Sequence, residues 1–89
     1  MSLVEDKLLY RRAILLQLDA ALPAGLPPNT LLEGLGISGF HKDMQILERT
    51  LDYLSQKGYI ELQHSLISAG NYRAKLTAKG ADYLESGGF

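Results

Sequence analysis

Gln45 and Arg49 stand one helical turn apart, and their side chains are of the types that pair through two hydrogen bonds with the edges of adenine and guanine. Lys42 lies three residues before Gln45, with His41 next to it and Ile46 nearby. Farther along, Arg73 and Lys75 alternate with Tyr72, Ala74 and Leu76, so a strand here would carry both cations on its outer face. Such cations suit phosphate oxygens or a neighbouring minor groove, and His64 sits just before the loop that precedes them. The same residues equally suit solvated helix and strand faces. Asp43, Glu48 and Asp52 share the segment and cancel Lys42, Arg49 and Lys57.

Other chemistries lack their residues. The chain has no cysteine, so disulfides and thiolate nucleophiles are excluded and a cytoplasmic setting is expected. His41 and His64 are the two histidines and have no metal-ligand spacing, nor do carboxylates cluster beside them. The serines have caps, turns or surface positions to explain them, and no glycine run resembles a phosphate cradle. We therefore expect no catalytic activity, metal or cofactor. The longest apolar run, Ala13-Ile14-Leu15-Leu16, is too short to cross a bilayer, and Glu5, Asp6, Arg11 and Arg12 argue against a signal peptide. A net charge of −1 means that any nucleic-acid contact must rest on local placement of cations.

The chain has 89 residues, 46% of them hydrophobic, enough for one modest core and one domain spanning 1–89. A first helix is predicted from Leu3 to about Leu22, opened by a Ser2–Glu5 capping box and stopped by Pro23. Its inward face should hold Leu8, Leu15, Leu18 and Leu22, widened by Leu9 and Leu16; Arg11 and Arg12 could touch a phosphate but are expected as solvated charge. A short second helix should begin near Pro28, with Asn29 or Thr30 as cap and Gly36 as its left-handed exit.

The third helix is predicted over 40–57. Phe40, Met44, Leu47, Leu51 and Leu54 recur at spacings of four and three, Ser38 is the expected cap, and Gly58 ends the run. The period then changes to two. Ile60 and Leu62 alternate with Glu61 and Gln63, and a second alternating run surrounds Arg73 and Lys75, so Ser68-Ala69-Gly70-Asn71 becomes the turn of a hairpin. Leu66 and Ile67 are adjacent and cannot both face inward on a strand, so one is exposed or covered by a partner; with Tyr83 and Leu84 of the closing helix this predicts a homodimer, the alternative being a protein-binding wing. Thr77 should cap a last short helix through Leu84.

Two stretches carry a family resemblance. Leu51-Asp52-Tyr53-Leu54-Ser55-Gln56-Lys57-Gly58-Tyr59-Ile60 is similar to the junction of recognition helix and wing in bacterial winged-helix regulators. Leu76-Thr77-Ala78-Lys79-Gly80 resembles the passage that leads those domains out of the wing into their last helix. The resemblance covers roughly Leu8 to Leu84 and implies an α+β winged helix-turn-helix fold. It further implies binding of double-stranded DNA in transcriptional control, through His41, Lys42, Gln45, Arg49, Arg73 and Lys75. The alternative it leaves open is a winged-helix module for a protein partner. A narrower likeness rests on Arg11-Arg12-Ala13-Ile14-Leu15, the Leu51–Leu54 run and the late threonine–glycine motif. These resemble a small protein encoded by Mu-like bacteriophages, which implies a phage or prophage setting, with a part in such an assembly as the form the protein-partner alternative would take. One departure stands out: Ser38 to Gly58 is about a helical turn longer than in the commonest short winged helices, so either the third helix starts early or Gly39 and Phe40 extend the turn.

Overall fold

The computed structural model describes residues 3–65 and 71–87. Its elements are α1 (Leu3–Ala20), α2 (Pro28–Ile37), α3 (Met44–Gln56), β1 (Ile60–His64), β2 (Tyr72–Leu76) and α4 (Ala78–Glu85). The fold is therefore α+β: a helix, a helix–turn–helix, an antiparallel hairpin and a closing helix, in the winged-helix order. The expected Ser2–Glu5 capping box, the Leu66-Ile67 patch and most of the wing turn lie outside the described residues.

The core brings one face of each of the first three helices together beneath the hairpin, and α4 packs Ala81, Tyr83 and Leu84 against its edge. Ile14, Leu15 and Leu18 of α1, Leu31 and Leu35 of α2 and Leu47, Leu51 and Leu54 of α3 are all buried, and Ile60, Ala74 and Leu76 close the cluster from the sheet. The α1 stripe departs from expectation. Tyr10 and Ile14 are buried in it, whereas Leu9, Leu16 and Leu22 are more than two-fifths exposed. Leucines occur all round this helix, so leucine spacing alone marked its face poorly; the buried row follows the i, i+4 series Tyr10–Ile14–Leu18 instead.

The third helix begins later than its apolar stripe suggests. The Asp43 side chain accepts a hydrogen bond from the Ile46 amide and caps α3, so Ser38 is not its cap but ends α2. Phe40 still contributes to the core without being helical. Its amide donates to the Leu35 carbonyl at 2.8 Å and its ring packs 5.6 Å from that of Tyr10. An extended turn thus accounts for the longer Ser38–Gly58 interval. In α2, Pro28 does occupy the first turn, but Asn29 and Thr30 lie inside the helix and no side chain caps it. The left-handed residue after α2 is Gly39, at φ 96°, while Gly36 remains helical.

The hairpin pairs Ile60 with Leu76, Leu62 with Ala74 and His64 with Tyr72. Leu26, in the α1–α2 connection, adds an isolated bridge on the far side of β2: its amide donates to the Ala74 carbonyl at 3.0 Å and its carbonyl accepts from the Ala74 amide at 2.9 Å. The chain reaches α3's exit through Gly58, whose φ of 80° permits the abrupt helix-to-strand turn. Thr77 caps α4 by accepting from the Gly80 amide, as its position predicts.

Candidate nucleic-acid interface

The Asp43 cap sets which residues of α3 face outward. With Leu47, Leu51 and Leu54 turned into the core, Gln45 and Arg49 project one turn apart on the exposed ridge, followed by Asp52 and Gln56. Arg49 makes no ion pair among the described residues. Gln56 Nε2 donates to Asp52 Oδ2 at 3.3 Å, so the second half of the ridge is tied to itself. His41 is exposed in the turn before the helix.

Lys42 behaves differently from its neighbour. It reaches across to α1, placing Nζ 2.9 Å from Asp6 Oδ2 and 5.6 Å from the centre of the Tyr10 ring. A partly buried charge held this way is less free to meet a phosphate than an open lysine. It marks the edge of a groove between α1 and α3, about 400 Å³ in volume, which Lys7 and Arg11 enter from α1 and Ile46, Arg49, Thr50 and Tyr53 from α3.

The two flanks of α3 carry opposite charge. On the hairpin side, the Tyr72 phenol is pushed above its usual pKa, first by burial and then by the carboxylates of Glu48 and Asp52. On the α1 side, Arg11 stacks over Tyr53 with its guanidinium carbon 4.2 Å from the ring centre, and Lys57 lies 5.8 Å from the same ring. The surface continues past Tyr53 to Tyr59, which stacks on Tyr83 at 4.3 Å and has Lys79 5.5 Å from its ring. Six of the nine lysines and arginines and four of the five tyrosines therefore share this side, with Asp6 the one acid lining its two recesses.

Arg73 and Lys75 do not join Gln45 and Arg49. Strand alternation puts them opposite the buried Ala74 and Leu76, on the outer face of the hairpin. There Arg73 Nη1 donates to the Gly25 carbonyl at 3.5 Å, and the Lys75 stem packs where a Gly25 side chain would stand. His64 lies on the inner face instead, its ring 5.4 Å from Tyr72. The six expected contact residues thus divide into an exposed group (His41, Gln45, Arg49), a paired lysine, and two cations on another surface.

Sequence reasoning passed over Lys7, Lys57 and Lys79 as contact residues and set Arg11 aside as solvated charge. The i, i+4 spacing of Lys7 and Arg11 was a usable signal. The tyrosines that hold Arg11, Lys57 and Lys79 come from α3 and from the strand entrance, and that pairing exists only in the folded chain. Among the described residues, no three histidine or carboxylate side chains gather as a metal site would require. No helix among them is long and apolar enough to cross a membrane. Comparison with protein-family models, curated proteins and solved structures gives no match to this chain.

Proposed function

We propose that the chain is a DNA-binding winged-helix protein, a cytoplasmic transcriptional regulator that reads duplex DNA through the exposed ridge of α3. The observation that carries this reading is the pair Gln45 and Arg49, one turn apart on an uncovered helix face, with the arginine free of any counter-ion among the described residues. A helix that lies in the major groove contacts base edges with the outward residues of its first turns, and these two types match adenine and guanine. His41, in the preceding turn, stands where a phosphate contact would fall. Glu48 and Asp52 on the hairpin flank oppose the phosphate backbone, so binding should be modest, and it should weaken as salt screens the cationic contacts. A two-fold pair of domains would compensate by engaging two half-sites one helical turn apart.

Selection from random duplexes, followed by titration at two salt concentrations, tests the reading. Enrichment of a short motif and weakening with salt are expected. No enrichment and no binding near about 50 mM salt would overturn it.

A further inference from the structure

The groove between α1 and α3 has a charge and a floor that a phosphate backbone does not need. Lys7, Arg11, Lys42 and Arg49 surround it, against the single acid Asp6, in a chain whose net charge is −1. Its floor is apolar: Ile46 is 41% and Tyr53 38% exposed, two of the few large hydrophobic side chains that the described residues leave open to solvent. Arg11 is already positioned over Tyr53, so less side-chain freedom is lost when it meets an anion. Tyr10 adds an independent sign. It lines the same groove, is 3% exposed, and its hydroxyl has no hydrogen-bond partner among the described residues. A buried donor without an acceptor is costly, and a ligand that supplies one relieves that cost.

We infer that this groove docks an acidic peptide segment of a partner protein, one that carries an aromatic or aliphatic anchor between its carboxylates. The anchor covers Ile46 and Tyr53. The flanking carboxylates meet Arg11 and Arg49, and one exchanges with Asp6 at Lys42, which brings an acceptor to the Tyr10 hydroxyl. Charge complementarity selects an anion, and the recessed apolar floor selects a peptide side chain over a phosphodiester, whose oxygens need donors and water. A flat lipid surface would leave the recess empty. The inference is independent of duplex binding, although the shared Arg49 makes the two ligands exclude one another.

Fluorescence anisotropy with the whole chain tests it, using four labelled probes: a short peptide of alternating glutamate and leucine around a central phenylalanine, an all-glutamate peptide of equal charge, a lysine counterpart of the first, and a DNA duplex. The anchored acidic peptide should bind about tenfold or more tightly than the other two peptides. Arg11→Glu and Ile46→Glu should each weaken it by about tenfold or more, and Tyr10→Phe by a smaller factor, while Arg73→Ala leaves it unchanged. Arg11→Gln serves as a milder variant, and thermal melts confirm that each protein folds. Equal binding of the anchored and all-glutamate peptides overturns the inference, because the floor then takes no anchor. So does duplex binding that depends on Arg11 and Ile46 with no peptide bound. Duplex binding that depends on Gln45 alone bears on the DNA reading and leaves the groove to the peptide result.

Discussion

The Thr77 hydroxyl donates to the Gly58 carbonyl oxygen at 2.6 Å, across nineteen residues of chain. The Thr77 hydroxyl oxygen in turn accepts from the Gly80 amide at 3.1 Å, and the Thr77 amide donates to the Tyr59 carbonyl at 3.1 Å. Gly80 itself packs so closely on the Tyr59 backbone that a Cβ there would clash. The turn that leaves α3 and the turn that enters α4 are therefore one hydrogen-bonded unit. This explains physically why the two sequence motifs that suggest the fold occur together. Thr77→Val removes the cap and the cross-chain bond and should cost about 1–3 kcal/mol in urea melts. Thr77→Ser should restore most of it, and equal losses in both variants would mean the hydroxyl is not the cause.

Leu51 is fully buried at the middle of the α3 stripe, in contact with the core formed by α1 and α2. Leu51→Ala should leave a cavity and cost about 2–5 kcal/mol. A domain with a total stability of roughly 5–15 kcal/mol would feel that as a large drop in urea midpoint. A shift under about 0.5 kcal/mol would show that the position tolerates collapse.

Tyr10 links the core to alkaline pH. Burial, with a further contribution from Asp43, holds its phenol above the ordinary value of 10.0. The folded chain thus keeps a proton that the unfolded chain releases near pH 10, so this stabilising term is complete below that pH and fades as pH rises through the folded value. Tyr10→Phe should be at least as stable at neutral pH, since no hydrogen bond is broken, and should lose stability less steeply above about pH 10. Tyr72 is raised as well and should leave a residual slope. Urea midpoints across the alkaline range decide this, and a neutral-pH loss above about 1 kcal/mol in Tyr10→Phe would show that the hydroxyl has a partner.

For duplex DNA, position on the fold separates residues that sequence alone groups together. Gln45→Ala and Arg49→Ala should each weaken specific binding by about 1–3 kcal/mol and relax preference at one base position. Arg73→Ala and Lys75→Ala, on the outer hairpin face beside Gly25, should leave the affinity and its salt slope nearly unchanged. Titrations of the four variants against a selected site check the division. A salt slope lowered by about one unit in Lys75→Ala would place the outer face on the DNA backbone.

Element order, the hairpin and the Thr77 cap were legible because each depends on local chemistry: a change of period, a glycine after a leucine-rich helix, a hydroxyl three residues before a free amide. The start of α3 was not. Phe40 sits four residues before Met44 and extends the stripe by arithmetic, yet the Asp43 carboxylate begins the helix and the Phe40 ring reaches Tyr10 from a turn. The groove was less legible still. Arg11 reads as surface charge until Tyr53 is beneath it, and Lys42 reads as an outward contact until Asp6 is opposite. Contacts between residues 36 or more apart in the chain leave no spacing pattern to find.

The Leu26–Ala74 bridge has a bearing on self-association. Both strands of the hairpin would ordinarily offer an unpaired edge to another molecule, but at Ala74 the outer side of β2 is already occupied by the α1–α2 connection. The bridge interrupts that edge at its centre, whereas β1 has no strand on its other side among the described residues. That strand is five residues long and carries Glu61 near its centre, two of the features that discourage edge-to-edge pairing. The hairpin thus resists indiscriminate β-addition on both sides without a third full strand: β2 is broken at its middle by the Leu26 bridge, and β1 is short and acidic.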